Sequence, residues 1–367
     1  MSGLVLALNA GSSNLKCALF DGGPAPLTAL ARTRIDGDGH AAVATAIDWA
    51  EAACGGRPLA AAGHRVVHGG SAFHAPTRLD AAVVEALERL TPLAPLHQPQ
   101  ALDAIRALSA LRPGLLQVAC FDTAFHWGQP PVAQRLGLTR ALHDKGVRRY
   151  GFHGLSYDYV SGRLAVLDPA LAARRVVAAH LGSGASLCAM AGGLSQDTTM
   201  GFSPLDGLLM ATRCGTLDPG VVLYLQQHEG LSAGEVEDLL YHRAGLLGVS
   251  GLTGDMRALL ASADPAAAEA VDLYVYRAAK EIAALAGAMG GLDGIVFTAG
   301  VGENSAEIRG RVAARLQWLG LELDPETNAA GGEGRISADG GLLAAWVIPT
   351  DEEGVIARQT LGVLAAV

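Results

Sequence analysis

The chain has 367 residues, half of them apolar and 17% charged, with a mass of 37.6 kDa and a mean hydropathy of +0.28. At roughly 100–200 residues per domain this suggests two domains with buried cores, and it excludes a disordered chain. Acidic residues (36) outnumber basic ones (27), so a generic nucleic-acid binder is excluded and an anionic ligand must be met by a local group of cations.

The chain begins MSGLVLALNAGSS, with no basic leader segment. No run approaches the roughly 18 apolar residues that span a bilayer. The five cysteines, Cys17, Cys54, Cys120, Cys188 and Cys214, are odd in number and form no C-x-x-C. A disulfide framework and a zinc knuckle are therefore not expected, and a soluble, cytoplasmic protein without membrane contact is.

Residues 4–20 read strand, small-residue loop, strand. Residues 21–60 are rich in Ala and Gly with little pattern and are expected to be peripheral. Helical stretches are predicted at 79–90, 100–111 and 265–289. Residues 176–190 repeat the first pattern, VVAAHL–GSGA–SLCAM, which suggests an internal duplication. A third loop, residues 300–305, follows the apolar GIVFTA and opens into a helix with Ile308, Val312 and Leu316 on one face. The class is α/β, and ligands in such proteins bind at loops on strand ends.

Loops of small residues let backbone amides approach a phosphate closely. None of the three is a G-x-x-x-x-G-K-[ST] loop, and Ser305 stands where a dinucleotide turn needs its third glycine. Arg65, in GHRVVHGG, reads as a strand end facing a cleft. Arg213, in MATRCG, is an Arg in a small, apolar stretch and must find an anion, from the protein or from a ligand. His64 and His68 would lie roughly 13 Å apart on a strand, too far to share a metal. Asp122 follows an apolar strand, where it suits a magnesium or base position and equally a cap. His153 sits among arginines, aromatics and glycines. Thr350 with Glu353 reads as a capping box.

Together these stretches resemble the acetate kinase family of the acetokinases. The matching segments are LNAGSSNLK (8–16), GHRVVHGG (63–70), LAPLHQP (93–99), FDTAFH (121–126), RRYGFHG (148–154), HLGSGAS (180–186), DTTMGFSPLDGLLMATRCG (197–215), TGDMR (253–257), FTAGVGENS (297–305) and IPTDEE (348–353). They fall in family order over nearly the whole chain.

The resemblance implies the duplicated actin-like and sugar-kinase-like fold, with two lobes around a nucleotide cleft. One lobe would be 1–149 plus 350–367, the other 150–349. It also implies a homodimer that transfers a phosphoryl group between ATP and acetate, or propionate, with Mg2+ or Mn2+. Acetyl phosphate and ADP, on a route to acetyl-CoA, would be the products. Arg65, Arg213, His153 and Asp122 would be catalytic. Asn9 and Glu352, with Asp122, would arrange the metal. Val67, Leu96, Phe152 and Pro204, with Arg65, would hold the acid. The nucleotide would meet Lys16, His180, Gly182, Ser183, Gly184, Asp255, Met256, Arg257, Gly300, Gly302, Glu303 and Asn304. Tyr157, Ser183, Asp351, Gln98 and Cys214 depart from the usual family residues.

A carboxylate acceptor is already ionised at pH 7 and needs no general base, so the chemistry is positioning and charge neutralisation. A sugar kinase of the same fold, which needs a base, and a nucleotide-binding regulator without an acyl substrate are the alternative readings.

Overall fold

The computed structural model describes residues 3–11, 14–23, 27–37, 39–95 and 97–366. It divides into two compact units, Met1–Trp127 with Phe152–Tyr159 and Asp351–Val367, and Gly128–Gly151 with Val160–Thr350.

The first unit is built on six strands, β1 (Leu4–Ala10), β2 (Asn14–Asp21), β3 (Ala29–Asp36), β4 (Leu59–Val66), β5 (Thr77–Arg78) and β6 (Leu116–Phe121), in the order β3-β2-β1-β4-β6-β5. β1, β4 and β6 run parallel, and the other pairings are antiparallel. β1 is buried on both faces, which explains its unbroken apolar run. Leu4, Leu6 and Leu8 pack with Ala42, Val43, Ala46 and Ile47 of the helix Gly39–Ala53. Val5 and Ala7, on the opposite face, pack with Val355 and Ile356 of the helix Glu352–Ala365.

Residues 21–60 are therefore not peripheral. They supply β3 and a core helix. The buried face of that helix is largely alanine (Ala42, Ala46, Ala50), and such small side chains leave only a faint hydrophobic period.

The second unit repeats the plan. Its strands are β7 (Arg175–Leu181), β8 (Ala185–Ala191), β9 (Leu194–Thr198), β10 (Gly294–Thr298), β11 (Gly334–Arg335) and β12 (Ala344–Val347). Taken from β9, the sheet runs β9-β8-β7-β10-β12-β11. That matches the first sheet strand for strand, with β7, β10 and β12 parallel and the rest antiparallel. The internal duplication expected from the two hairpins is thus present throughout both sheets. The helix Pro265–Ala288 covers β7, β8 and β9.

Residues 300–305 are not a loop. Ala299–Asn304 is a short helix, entered through a left-handed Ala299 (φ +66°). Ser305 ends it and caps the next helix, Ala306–Arg315, whose Ile308 and Val312 are buried as their spacing predicts. Among the described residues no helix is long and apolar enough to cross a membrane. All five cysteines are free thiols.

Candidate active site

In the first unit the chemistry-bearing side chains collect at the C-terminal ends of the three parallel strands. Asn9 is the penultimate residue of β1, Arg65 that of β4, and Asp122 follows β6 directly. The register pairs Leu8 with His64 and Arg65 with Cys120, so these ends lie side by side. Arg65 donates from both Nε and Nη2 to Asp122 Oδ2, at 2.9 and 2.6 Å. Asp122 is 1% exposed, and its Oδ1 is buried without a hydrogen-bond partner of good geometry. Burial pushes the Asp122 carboxyl above the usual carboxylate range; Arg65 opposes the rise and Glu352 adds to it. Burial acts to lower the Arg65 guanidinium, but Asp122, Glu352 and Glu353 outweigh it and hold the group protonated.

Asn9 Nδ2 donates to Glu352 Oε2 (2.9 Å) and to Glu353 Oε1 (2.8 Å). Glu353 was expected only as half of a capping box with Thr350. The helix Glu352–Ala365 is instead capped by Asp351, whose carboxylate accepts from Gly354 N at 3.0 Å. Thr350 Oγ1 is buried without a hydrogen bond. Lys16 lies directly across the β1–β2 ladder from Asn9, and its side chain is exposed.

His153 has a left-handed backbone (φ +58°), uncommon outside glycine. The next residue, Gly154, donates to the Asp122 carbonyl at 2.9 Å, and a Cβ there would fall 2.1 Å from that oxygen. Only glycine permits this approach, so the backbone of His153 is tied to that of Asp122. Phe152 packs edge-on against the His68 ring, with centroids 5.6 Å apart. Its carbonyl accepts from His126 Nε2 at 2.9 Å. Val67 is buried, and it and His68 lie beyond β4 rather than within it. Gln98 holds this turn: its Oε1 accepts from His68 N (3.2 Å) and its Nε2 donates to His68 O (3.1 Å). Leu96 lies outside the described residues.

In the second unit, Arg213 Nη1 donates to the Pro204 carbonyl at 3.1 Å. The turn carrying Arg213 is clamped from several sides. Ala211 N donates to Ser183 O (3.0 Å), and Leu246 N to Met210 O (2.8 Å). Gly245 (φ +66°) permits this, since a Cβ would meet Met210 O at 2.3 Å.

A cavity of about 920 Å3 lies in this unit, bounded by the β7–β8 hairpin loop and the Ala299–Asn304 helix. Gly182, Ser183, Asp255, Met256, Arg257, Gly300 and Asn304 all line it, as do Ala211, Leu246, Leu260, Val301 and Tyr274, none of them an expected site residue. His180, Gly184, Gly302 and Glu303 do not line it. His180 is the penultimate residue of β7, paired with Thr298, and Gly184 O accepts from Gly182 N at 3.1 Å. Glu303 accepts from the Ala299 amide (2.7 Å) and the Thr350 amide (3.0 Å). The fully buried Arg309 donates to the carbonyls of Gly302 (2.9 Å) and Glu303 (2.8 Å), holding the end of the short helix. Asp255 caps the helix Met256–Leu260 through Arg257 N (2.8 Å), and the Arg257 side chain is 91% exposed. That cap hydrogen bond holds the Asp255 carboxyl below its usual range.

The Acetokinase family matches residues 37–358 of this chain. The chain belongs to that family. It is 50% identical to a protein named acetate kinase from Rhodopseudomonas palustris (strain TIE-1), over 98% of both chains. Among solved structures it resembles a Porphyromonas gingivalis acetate kinase, with a TM-score of 0.85 at 35% identity over 99% of this chain and 100% of that one. A propionate kinase from Francisella tularensis gives a TM-score of 0.89 at 34% identity, with the same coverage.

The departures from the usual acetokinase residues have local accounts. Asp351 is held by Arg32, Nη1 to Oδ1 at 2.9 Å and Nη2 to Oδ2 at 2.7 Å, so a carboxylate is matched there by a cation. Gln98 reaches both backbone groups of His68, which uses the full length of its side chain. Tyr157 is fully buried, edge-on to the His126 ring at 5.6 Å. Ser183 lines the cavity and bonds Ala211 through its carbonyl. Cys214 Sγ donates to the Gly215 carbonyl at 3.2 Å.

Proposed function

We propose that this chain is an acetate kinase that transfers the γ-phosphoryl group of ATP to acetate, reversibly, giving acetyl phosphate and ADP. An oxygen of the acetate carboxylate attacks the γ-phosphorus. The bond from that phosphorus to the β,γ-bridging oxygen breaks, and its electron pair leaves with ADP. No proton has to be removed, so the task is to offset charge between two anions.

The observation that carries this reading is the fixed cation at the strand ends. Arg65 is held in place by Asp122 in a nearly dry setting, where its charge acts strongly on an incoming carboxylate or phosphoryl oxygen. Arg213 and His153 are assigned to the transferring group as further donors. Val67, Phe152 and Pro204, with Leu96, are assigned to the methyl end of the acid. Lys16, the Gly182–Gly184 turn, Asp255–Arg257 and the Ala299–Asn304 helix are assigned to the nucleotide.

Magnesium, or manganese in its place, belongs to the same proposal. The donors at the strand ends are oxygens, from Asn9, Glu352, Asp122 and the additional Glu353, and oxygen sets suit hard cations. Among the described residues no three His, Cys, Asp or Glu side chains form a ready-made cage, which fits an ion that also binds substrate phosphates. Such an ion would neutralise charge on the phosphates.

A homodimer in the cytoplasm completes the reading. Leu217, Val221, Leu223 and Tyr224 are exposed on and just before the helix Pro219–Gln227, an apolar face that a second copy would cover. Propionate is the second candidate acid, favoured by the likeness to the Francisella tularensis propionate kinase. The sugar-kinase alternative falls with membership of the acetokinases. Trapping of acyl phosphates with hydroxylamine, across a series of acids with ATP, tests the assignment.

A further inference from the structure

Among the described residues that line the cavity of the second unit, one side-chain polar atom is both buried and without a hydrogen-bond partner, the hydroxyl of Tyr274. Tyr274 is 2% exposed and sits on the buried face of the helix Pro265–Ala288, with Val271 and Val275 beside it. Leaving a buried hydroxyl unsatisfied is costly, and phenylalanine would fill the same space without that cost. Burial also pushes the phenol above its usual range, so it keeps its proton at any physiological pH.

The surroundings indicate what the hydroxyl meets. The cavity has two kinds of wall. One is backbone and small residues, at Gly182, Ser183 and Gly300. The other is apolar, from Leu246, Met256, Leu260 and Val301. The first suits phosphate and ribose oxygens, and the second suits the faces of a flat heterocycle. A purine in an apolar slot brings ring nitrogens and an exocyclic group on its edge, and each loses water on entry. A hydroxyl can turn to donate or accept.

We propose that Tyr274 is a specificity residue of this site, its hydroxyl hydrogen-bonding the polar edge of the purine base of the bound nucleotide. The inference rests on the nucleotide reading of the cavity given above. It assigns Tyr274 to recognition of the base, away from the phosphates and the acid.

The test is Tyr274→Phe in the full-length enzyme, with three readouts. The KM for ATP should rise about 5–10-fold, the scale of one hydrogen bond, while kcat and the KM for acetate stay within twofold. Inhibition by tripolyphosphate, which has no base, should be unchanged. The melting temperature of the ligand-free variant should be unchanged or higher. An unchanged KM for ATP overturns the proposal. So does tripolyphosphate inhibition weakened by the same factor, because the hydroxyl would then act on phosphates. A lower melting temperature, or failure to fold, overturns it as well, because the hydroxyl would then serve the fold. If the wild-type protein itself binds no ATP, the kinase reading falls together with the inference. That result differs from a wild type that binds ATP and a variant that matches it.

Discussion

Two nitrogens of Arg65, Nε and Nη2, converge on a single oxygen of Asp122, Oδ2, while Oδ1 of the same carboxylate stays buried without a hydrogen bond of good geometry. The pair is lopsided. One oxygen is saturated by the cation, and the other is buried toward the backbone of Leu155. Arg65 is thereby both a structural partner and a fixed positive charge at the strand ends.

This pairing shapes what substitution does. Arg65→Ala leaves a buried carboxylate without its cation, a change that typically destabilises by about 3–5 kcal/mol. We predict loss of both turnover and stability, read by kcat and by urea unfolding. Arg65→Lys should recover part of the stability but not the two-pronged geometry, and so little of the activity.

Arg213 separates the two effects. Its guanidinium donates to a neutral acceptor, the Pro204 carbonyl, at 3.1 Å. Arg213→Ala is expected to lower kcat by about 10²–10³, the scale of one electrostatic donor in a closed site. Its melting temperature should stay within about 3 °C of wild type, on the order of 1 kcal/mol for a chain of this size. Near-normal kcat in the folded variant would remove Arg213 from the chemistry.

The oxygen donors at Asn9, Glu352 and Glu353 predict a strict need for a divalent cation. Excess EDTA should abolish turnover, and magnesium or manganese should restore it. Glu352→Gln should raise the magnesium concentration needed for half-maximal rate by about tenfold or more. Full activity in EDTA would contradict this assignment.

Buried histidines set the response to acid. Burial lowers the pKa values of His64 and His126 to about 4, although Gln117 and the Phe152 carbonyl oppose the shift. Both are then neutral in the folded state, while the unfolded chain takes up their protons below about pH 6.5. Between these values the unfolded state binds more protons, so stability rises with pH from about 4 to 6.5 and levels off above 7. The span is on the order of 3 kcal/mol per histidine. Urea unfolding from pH 4.5 to 8 checks it, and a flat profile would contradict the burial argument.

Much of this was legible in the residues, and the misses have physical causes. The two hairpins signalled the duplication because each pairs apolar runs with a small-residue turn, a local pattern. Arg65 and Asp122 stood out because a polar group at the end of an apolar strand is rarely idle, whereas Asn9 was reached only through the resemblance to the acetokinases. The helix Gly39–Ala53 escaped because its buried face is largely alanine. Glu353 was read as a helix cap because its contact with Asn9 spans 344 positions, which spacing cannot reveal. Tyr274 sits at an ordinary core position of a long amphipathic helix, so only the cavity beside it sets it apart. Arg309 was hidden for the same reason, an arginine on a helix whose partners are carbonyls.

The central claim is transfer of phosphate from ATP to the carboxylate of a short acid. The most direct measurement is hydroxylamine-trapped acyl phosphate, with kcat/KM for acetate, propionate, butyrate and isobutyrate under saturating ATP and magnesium. The account predicts turnover with acetate and propionate and a steep fall for the longer and branched acids, because overfilling a tight apolar site is costly. No acyl phosphate with any acid, or butyrate used as well as acetate, would contradict it.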